Sequence, residues 1–148
     1  MNRTLVVEAV RKTVTVDCAV EEAFTVFTAD IGSWWPTDTH ALHAGGVREI
    51  VFQPEVGGEV YEVSNDGEQG HWATVLAFEP PNRLVLAWEV NPKALGTEVE
   101  VRFTVQEAGT RIDLEHRGWD RVTDATELRA SYETGWDHVL GTYVDRIG

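Results

Sequence analysis

The chain has 148 residues, 43% hydrophobic and 25% charged, with 12 basic against 25 acidic side chains and a formal net charge of −13. That length suits one domain with its own core, spanning 1–148, and the composition is globular rather than disordered. The acidic balance repels phosphate backbones and anionic lipid, and no run approaches the ~18 apolar residues of a membrane span, so neither nucleic acid nor a membrane is an expected partner.

The start, MNRTLVVEAVRK, has no long apolar segment and no small-residue cleavage site, so a secretory leader is not expected. Cys18 is the only cysteine and cannot form an internal disulfide. A lone thiol fits a reducing compartment, and the expected location is cytoplasmic. Asp17, Glu21 and Glu22 surround it and disfavour a thiolate, so it reads as a buried structural residue.

The first element is a strand at 10–16, VRKTVTV. Val10, Val14 and Val16 share one face, which Lys12 interrupts. Asp17 then offers a helix start, with Glu21 and Glu22 near the positive end of the dipole. Val20, Phe24, Phe27, Ile31 and Trp34 follow at steps of four and three, which is one helical stripe. Gly32 splits it into two short helices, and Pro36 ends it. Trp34 continues this stripe; Trp35, about 100° around the axis, does not.

Strands follow at 47–52, 59–63, 71–78 and 84–90. Pairing the last two through EPPNR opposes Phe78 with Leu84, Leu76 with Leu86, Thr74 with Trp88 and Trp72 with Val90. TEVEVRFTVQ (97–106) and RIDLEH (111–116) flank EAGT and read as a hairpin. With Gln106 opposite Arg111, Phe103 and Val105 meet Leu114 and Ile112 on the inner face. Arg102 meets Glu115 and Glu100 meets Arg117 on the outer one. A bulge at Gly109 would shift this register by one. The last element, 123–147, is one long helix with Asp124 and Glu127 as a capping-box-like start. Its stripe is Ala125, Leu128, Tyr132, Trp136, Val139, Tyr143 and Ile147. Only this helix is long enough to cover an antiparallel sheet with one apolar face, so the expected class is α+β: a curved sheet gripping the terminal helix.

The order of elements, with FTADIGSWWP, PEVGGEVYEV, VLAFEPPNRLVLAWEV and YETGWDHVLGTYV, resembles the homologues of the activator of the 90-kDa heat-shock-protein ATPase. That family belongs to the START-like, birch-pollen-allergen-like superfamily, which includes polyketide cyclases. The resemblance implies a helix-grip fold: a seven-stranded antiparallel sheet, two short helices after the first strand, and a long C-terminal helix around a cavity. It implies no transferable catalytic set and no cofactor.

Rings with polar tips converge on that interior. Tyr61, Trp72, Trp88 and His116 fall on inner strand faces; Tyr132, Trp136 and Tyr143 on the helix stripe; Trp35, His40 and His43 at the plugged end. A core built only for packing uses Leu, Ile, Val and Phe, whereas buried Trp and Tyr need partners for their N–H and O–H. These ten residues are the expected lining of a pocket of about 300–1,000 Å³.

No metal is expected. His40 and His43 are close in sequence, with His71 or His116 as further ligands, but the pair lacks the helical i,i+4 spacing. Ser33, Ser64 and Ser131 are the only serines, and none stands in a nucleophile elbow. The leading expectation is a small apolar or aromatic ligand bound without assigned chemistry. A chaperone partner, as the family resemblance implies, is one alternative. A cyclase-like enzyme using His116, Tyr132 or Tyr143 to move protons is the other.

Overall fold

A computed structural model describes residues 7–147. Residues 1–6, part of the stretch read for a secretory leader, and Gly148 lie outside it. Seven strands form one antiparallel sheet: β1 (Val10–Val16), β2 (Val47–Phe52), β3 (Glu59–Ser64), β4 (Gln69–Glu79), β5 (Arg83–Trp88), β6 (Thr97–Gln106) and β7 (Gly109–Arg117). Two α-helices, α1 (Val20–Phe27) and α2 (Ala125–Ile147), complete the fold, and a 3₁₀ turn at Ile31–Ser33 follows α1. The sheet order is β1-β7-β6-β5-β4-β3-β2, so β2 to β7 form a meander and β1 adds at its far end. This is the helix-grip arrangement expected above. No helix among the described residues is long and apolar enough to cross a membrane.

The stripe Val20, Phe24, Phe27, Ile31 and Trp34 is buried as a unit. Asp17 does not cap α1. Ala19 takes the N-cap position, and no side chain caps it. Lys12 interrupts the inner face of β1 because it serves α2: its Nζ lies 2.9 Å from Glu133 and 3.0 Å from Asp137. Arg129 donates to the carbonyls of Glu8 and Ala9, and Tyr143 donates to the Ala23 carbonyl at 2.8 Å. α2 is thus tied to β1 on one side and α1 on the other.

The β6–β7 register differs from expectation by two residues, not one. Gln106 faces Gly109, Phe103 faces Ile112, and Val101 faces Leu114. The strands run to a tighter turn, where Gly109 has φ 132° and the Val16 carbonyl occupies the space a side chain would need. A shift of two keeps every residue on its face, but Val105, expected against Ile112 on the inner side, runs past the core opposite Thr110 and is 66% exposed. Arg102 now faces Asp113, and Glu100 faces Glu115. Arg117 still reaches Glu100 diagonally, and also binds Glu98 and Glu115. His116 faces Val99.

The β4–β5 pair keeps Phe78 opposite Leu84, but a bulge at Leu76 follows. Val75 then faces Leu86 and Ala73 faces Trp88. One extra residue turns the side-chain alternation over. Leu76 is therefore 44% exposed, and Thr74 points outward to donate to Glu89. The ladder between β3 and β4 skips from Val60–Ala73 to Tyr61–His71, which leaves Trp72 as a second bulge. Trp72 and Ala73 are both buried.

The interior has two ends. At one, Phe24, Phe27, Phe103, Trp34 and Tyr143 pack edge-to-face with centroids 5.0–5.6 Å apart. At the other stand Trp35, Trp72, Trp88 and Trp136. Trp34 belongs to the filled end. Its off-stripe neighbour Trp35 carries the chain into the indole end.

Candidate functional site: an indole-walled cavity

A cavity of about 190 Å³ opens at the indole end. The sheet contributes Trp72, Trp88 and Val90; the loop after Pro36 contributes His40, Ala41 and Leu42; Trp35 closes the floor between them. From α2 come Tyr132, Gly135, Trp136 and Val139, whose spacing of three, four and seven puts them on one face. No lining residue carries a permanent charge. The volume falls short of the expected 300–1,000 Å³ because the rings touch one another: Trp35 lies 4.8 Å from Trp72, and Trp88 5.2 Å from Trp136.

Three of the four indoles are fixed by their N–H. Trp35 donates to the His40 carbonyl at 2.6 Å. Trp72 donates to Glu62 Oε1 at 2.6 Å. Trp136 donates to His116 Nδ1 at 3.1 Å. Trp88 differs: its N–H is buried without an acceptor. A buried donor in that condition costs about 1–3 kcal/mol. The Tyr132 hydroxyl is its polar neighbour but does not complete a hydrogen bond with it.

Glu62 is the residue that sequence reasoning missed. It is fully buried, and its two oxygens accept from the backbone N–H of Leu42 and His43, from Trp72 Nε1 and from His43 Nδ1, at 2.6–2.8 Å. Those donors outweigh burial and hold its carboxyl below the ordinary range. Glu62 latches the cavity-covering loop to β3. A carboxylate inside reverses the apparent faces of EVYEV, so Tyr61 lies half-buried on the outer face, paired with His71, and does not line the cavity. A signal existed in Gly70, which faces Glu62. A Cβ there would press on the side chains of Leu42 and Glu62.

The remaining candidate residues separate. His40 sits at the mouth, stacked on His138 with centroids 4.9 Å apart. Burial and the neighbouring imidazole lower its pKa, which keeps it neutral. His43 lies outside, with Nδ1 2.8 Å from Glu62 and Nε2 3.5 Å from Glu68, and Glu62 above all raises its pKa. His116 is fully buried behind Trp136, and burial drives its pKa to about 3. The Thr97 hydroxyl donates to Ala94, so His116 Nε2–H donates to Thr97 while Nδ1 accepts from Trp136. Both ring nitrogens are committed, and the imidazole is a strut rather than a proton carrier. Tyr143 spends its O–H on Ala23 in the filled end. Of the proton-moving candidates, only Tyr132 reaches the cavity; burial raises its pKa, so it is a neutral donor. Among the described residues no group of three or more His, Cys, Asp or Glu side chains is placed to hold a metal. Cys18 is half-buried, and burial with Glu22 and Asp17 raises its thiol pKa.

Known proteins place this architecture. The Aha1 dimer of Colwellia psychrerythraea is similar at TM-score 0.69 and 18% identity, covering 94% of this chain and 95% of that one. An AHSA1-like protein from Aeromonas hydrophila gives 0.68 and 18%, covering 94% and 91%. The anthrahydroquino-γ-pyrone synthase Txn09 gives 0.57 at 30% identity, covering 86% and 88%. No curated protein sequence matches. Residues 17–145 match the family of activator of Hsp90 ATPase homolog 1-like proteins, and the chain belongs to that family.

Proposed function

We propose that this protein binds a small, planar, uncharged aromatic molecule in the indole-walled cavity, in the cytoplasm. The observation that carries the reading is a hollow of about 190 Å³ faced by four tryptophans and by no permanent charge. An apolar protein cavity of about 150 Å³ holds one benzene, so this one suits a single ring or a fused pair. The test is a size series of benzene, naphthalene and anthracene, followed by indole fluorescence and thermal melting. One- and two-ring probes are expected to raise the melting temperature, since a ligand at 100 times its Kd adds about 2.7 kcal/mol. Anthracene is expected to leave it unchanged. No shift with any of the three overturns the reading.

Gly135 gives a second check. A methyl group there would stand 3.8–3.9 Å from the His40 ring, an ordinary contact at the mouth. Gly135→Ala is expected to stabilise the helix by about 0.5–1 kcal/mol while weakening naphthalene binding several-fold. Chemical denaturation reads the first and fluorescence titration the second. Unchanged binding would remove this wall from the site.

The 30% identity to the pyrone synthase favours one further reading, cyclase-like chemistry on a bound polyketone. There the protein's contribution would be to fold the substrate and to offer the Tyr132 hydroxyl as a neutral acid.

A further inference from the structure

Two places in the cavity wall are polar: His40 at its mouth, and the meeting of Trp88 with Tyr132. Trp88 is 95% buried, and its N–H has no acceptor among the described residues. Beside it stands Tyr132, whose hydroxyl is its polar neighbour, and both residues line the hollow. The other three indole N–H groups are all satisfied by the protein. A tryptophan N–H can only donate. Whether it turns to the Tyr132 oxygen or to a guest, the pair keeps one hydrogen free for an acceptor.

We propose that Trp88 and Tyr132 form a neutral donor pair that selects an acceptor oxygen, which makes a planar aromatic ketone or quinone the ligand class of this cavity. The proposal rests on the reading of the cavity as a ligand site. Neutral donors suit an uncharged carbonyl: they satisfy it without the desolvation that a buried cation would demand. The His116–Thr97–Ala94 chain holds Trp136 from behind, and Trp119 and His116 pack on the Tyr132 ring, so the pair is presented from a fixed wall.

The probes are 1-tetralone and tetralin, which share a skeleton and differ in one carbonyl oxygen. Their affinities are compared as a ratio, in wild type and in Tyr132→Phe and Trp88→Phe, which cancels the difference in their hydrophobicity. The ratio is expected to fall about tenfold against the ketone in Tyr132→Phe and to fall also in Trp88→Phe. In the wild-type protein, the Trp88 indole N–H proton resonance is expected to move downfield with tetralone and to stay with tetralin. That measurement needs no variant to fold. Binding of both compounds with an unchanged ratio and a stationary Trp88 signal overturns the donor pair and leaves the aromatic cavity standing. Binding of neither overturns both.

Discussion

Replacing Glu62 by alanine is expected to lower stability by about 3–5 kcal/mol and to release the loop over the cavity. The substitution strands Trp72 Nε1, which is fully buried, and removes the acceptors of the Leu42 and His43 amides. Glu62→Gln separates charge from shape. It keeps one acceptor oxygen but turns an NH₂ toward a loop donor, and is expected to cost about 1–3 kcal/mol. Urea denaturation measures the loss. Hydrogen exchange at Leu42 and His43 locates it, because both amides should lose protection before the sheet does. An alanine variant within 1 kcal/mol of wild type would show that the carboxylate does not hold the loop. The latch also has a pH window. The Glu62 pKa is depressed, so its contribution is present above its ordinary 4.5 and fades as pH falls through the lower folded value. The His43 pKa is raised, so its contribution is complete below 6.5 and fades as pH rises through the higher folded value. Loop protection is expected to be greatest between those two values.

His116→Gln is expected to reverse its effect with pH. At neutral pH the variant loses the link between Trp136 and Thr97 and is expected to be about 1–3 kcal/mol less stable. The imidazole has a folded pKa of about 3 against an ordinary 6.5. Between those values the unfolded chain binds the proton and the folded chain refuses it, so stability falls with pH by about 1.4 kcal/mol per unit. The groups packed around His116 are Trp88, Trp119, Tyr132 and Trp136, and none of them offers a charge to offset this. Glutamine does not titrate. The deficit of the variant should shrink by about 3 kcal/mol between pH 7 and pH 4, which brings it level with or above wild type. His43 and His71, whose pKa values are raised, titrate in both proteins and drop out of the difference. A deficit that stays constant with pH would mean that the folded protein admits the proton.

The elements were legible because their periods are plain. The stripe from Val20 to Trp34 and the alternation of β6 and β7 needed no partner to be read. Even the displaced hairpin kept Phe103, Ile112 and Leu114 inside, since a slip of two conserves the faces; only Val105, near the turn, is left exposed. What hid was every place where alternation breaks. The bulges at Trp72 and Leu76 arise from strand pairing, and no local signal marks them. Glu62 hid for another reason. A carboxylate between valines reads as solvent-facing until the donors that solvate it are known, and those come from a loop about twenty residues earlier. Hence Trp35, His40, Trp72, Trp88, Tyr132 and Trp136 were placeable around one hollow. The alternation of EVYEV points Tyr61 to the wrong side of β3, and nothing local marks the committed nitrogens of His116.

The seating of β1 beside β7 carries a consequence for biosynthesis. Arg11 and Glu115, which pair across that seam, stand 104 positions apart. At about 5–20 residues per second, the ribosome delays the partner by about 5–20 s after the first strand emerges. Throughout that wait the nascent segment has a valine-bearing edge and no mate. The meander can condense by short hairpins in the meantime, whereas the seam must wait for β7 and close a far longer loop than any of them.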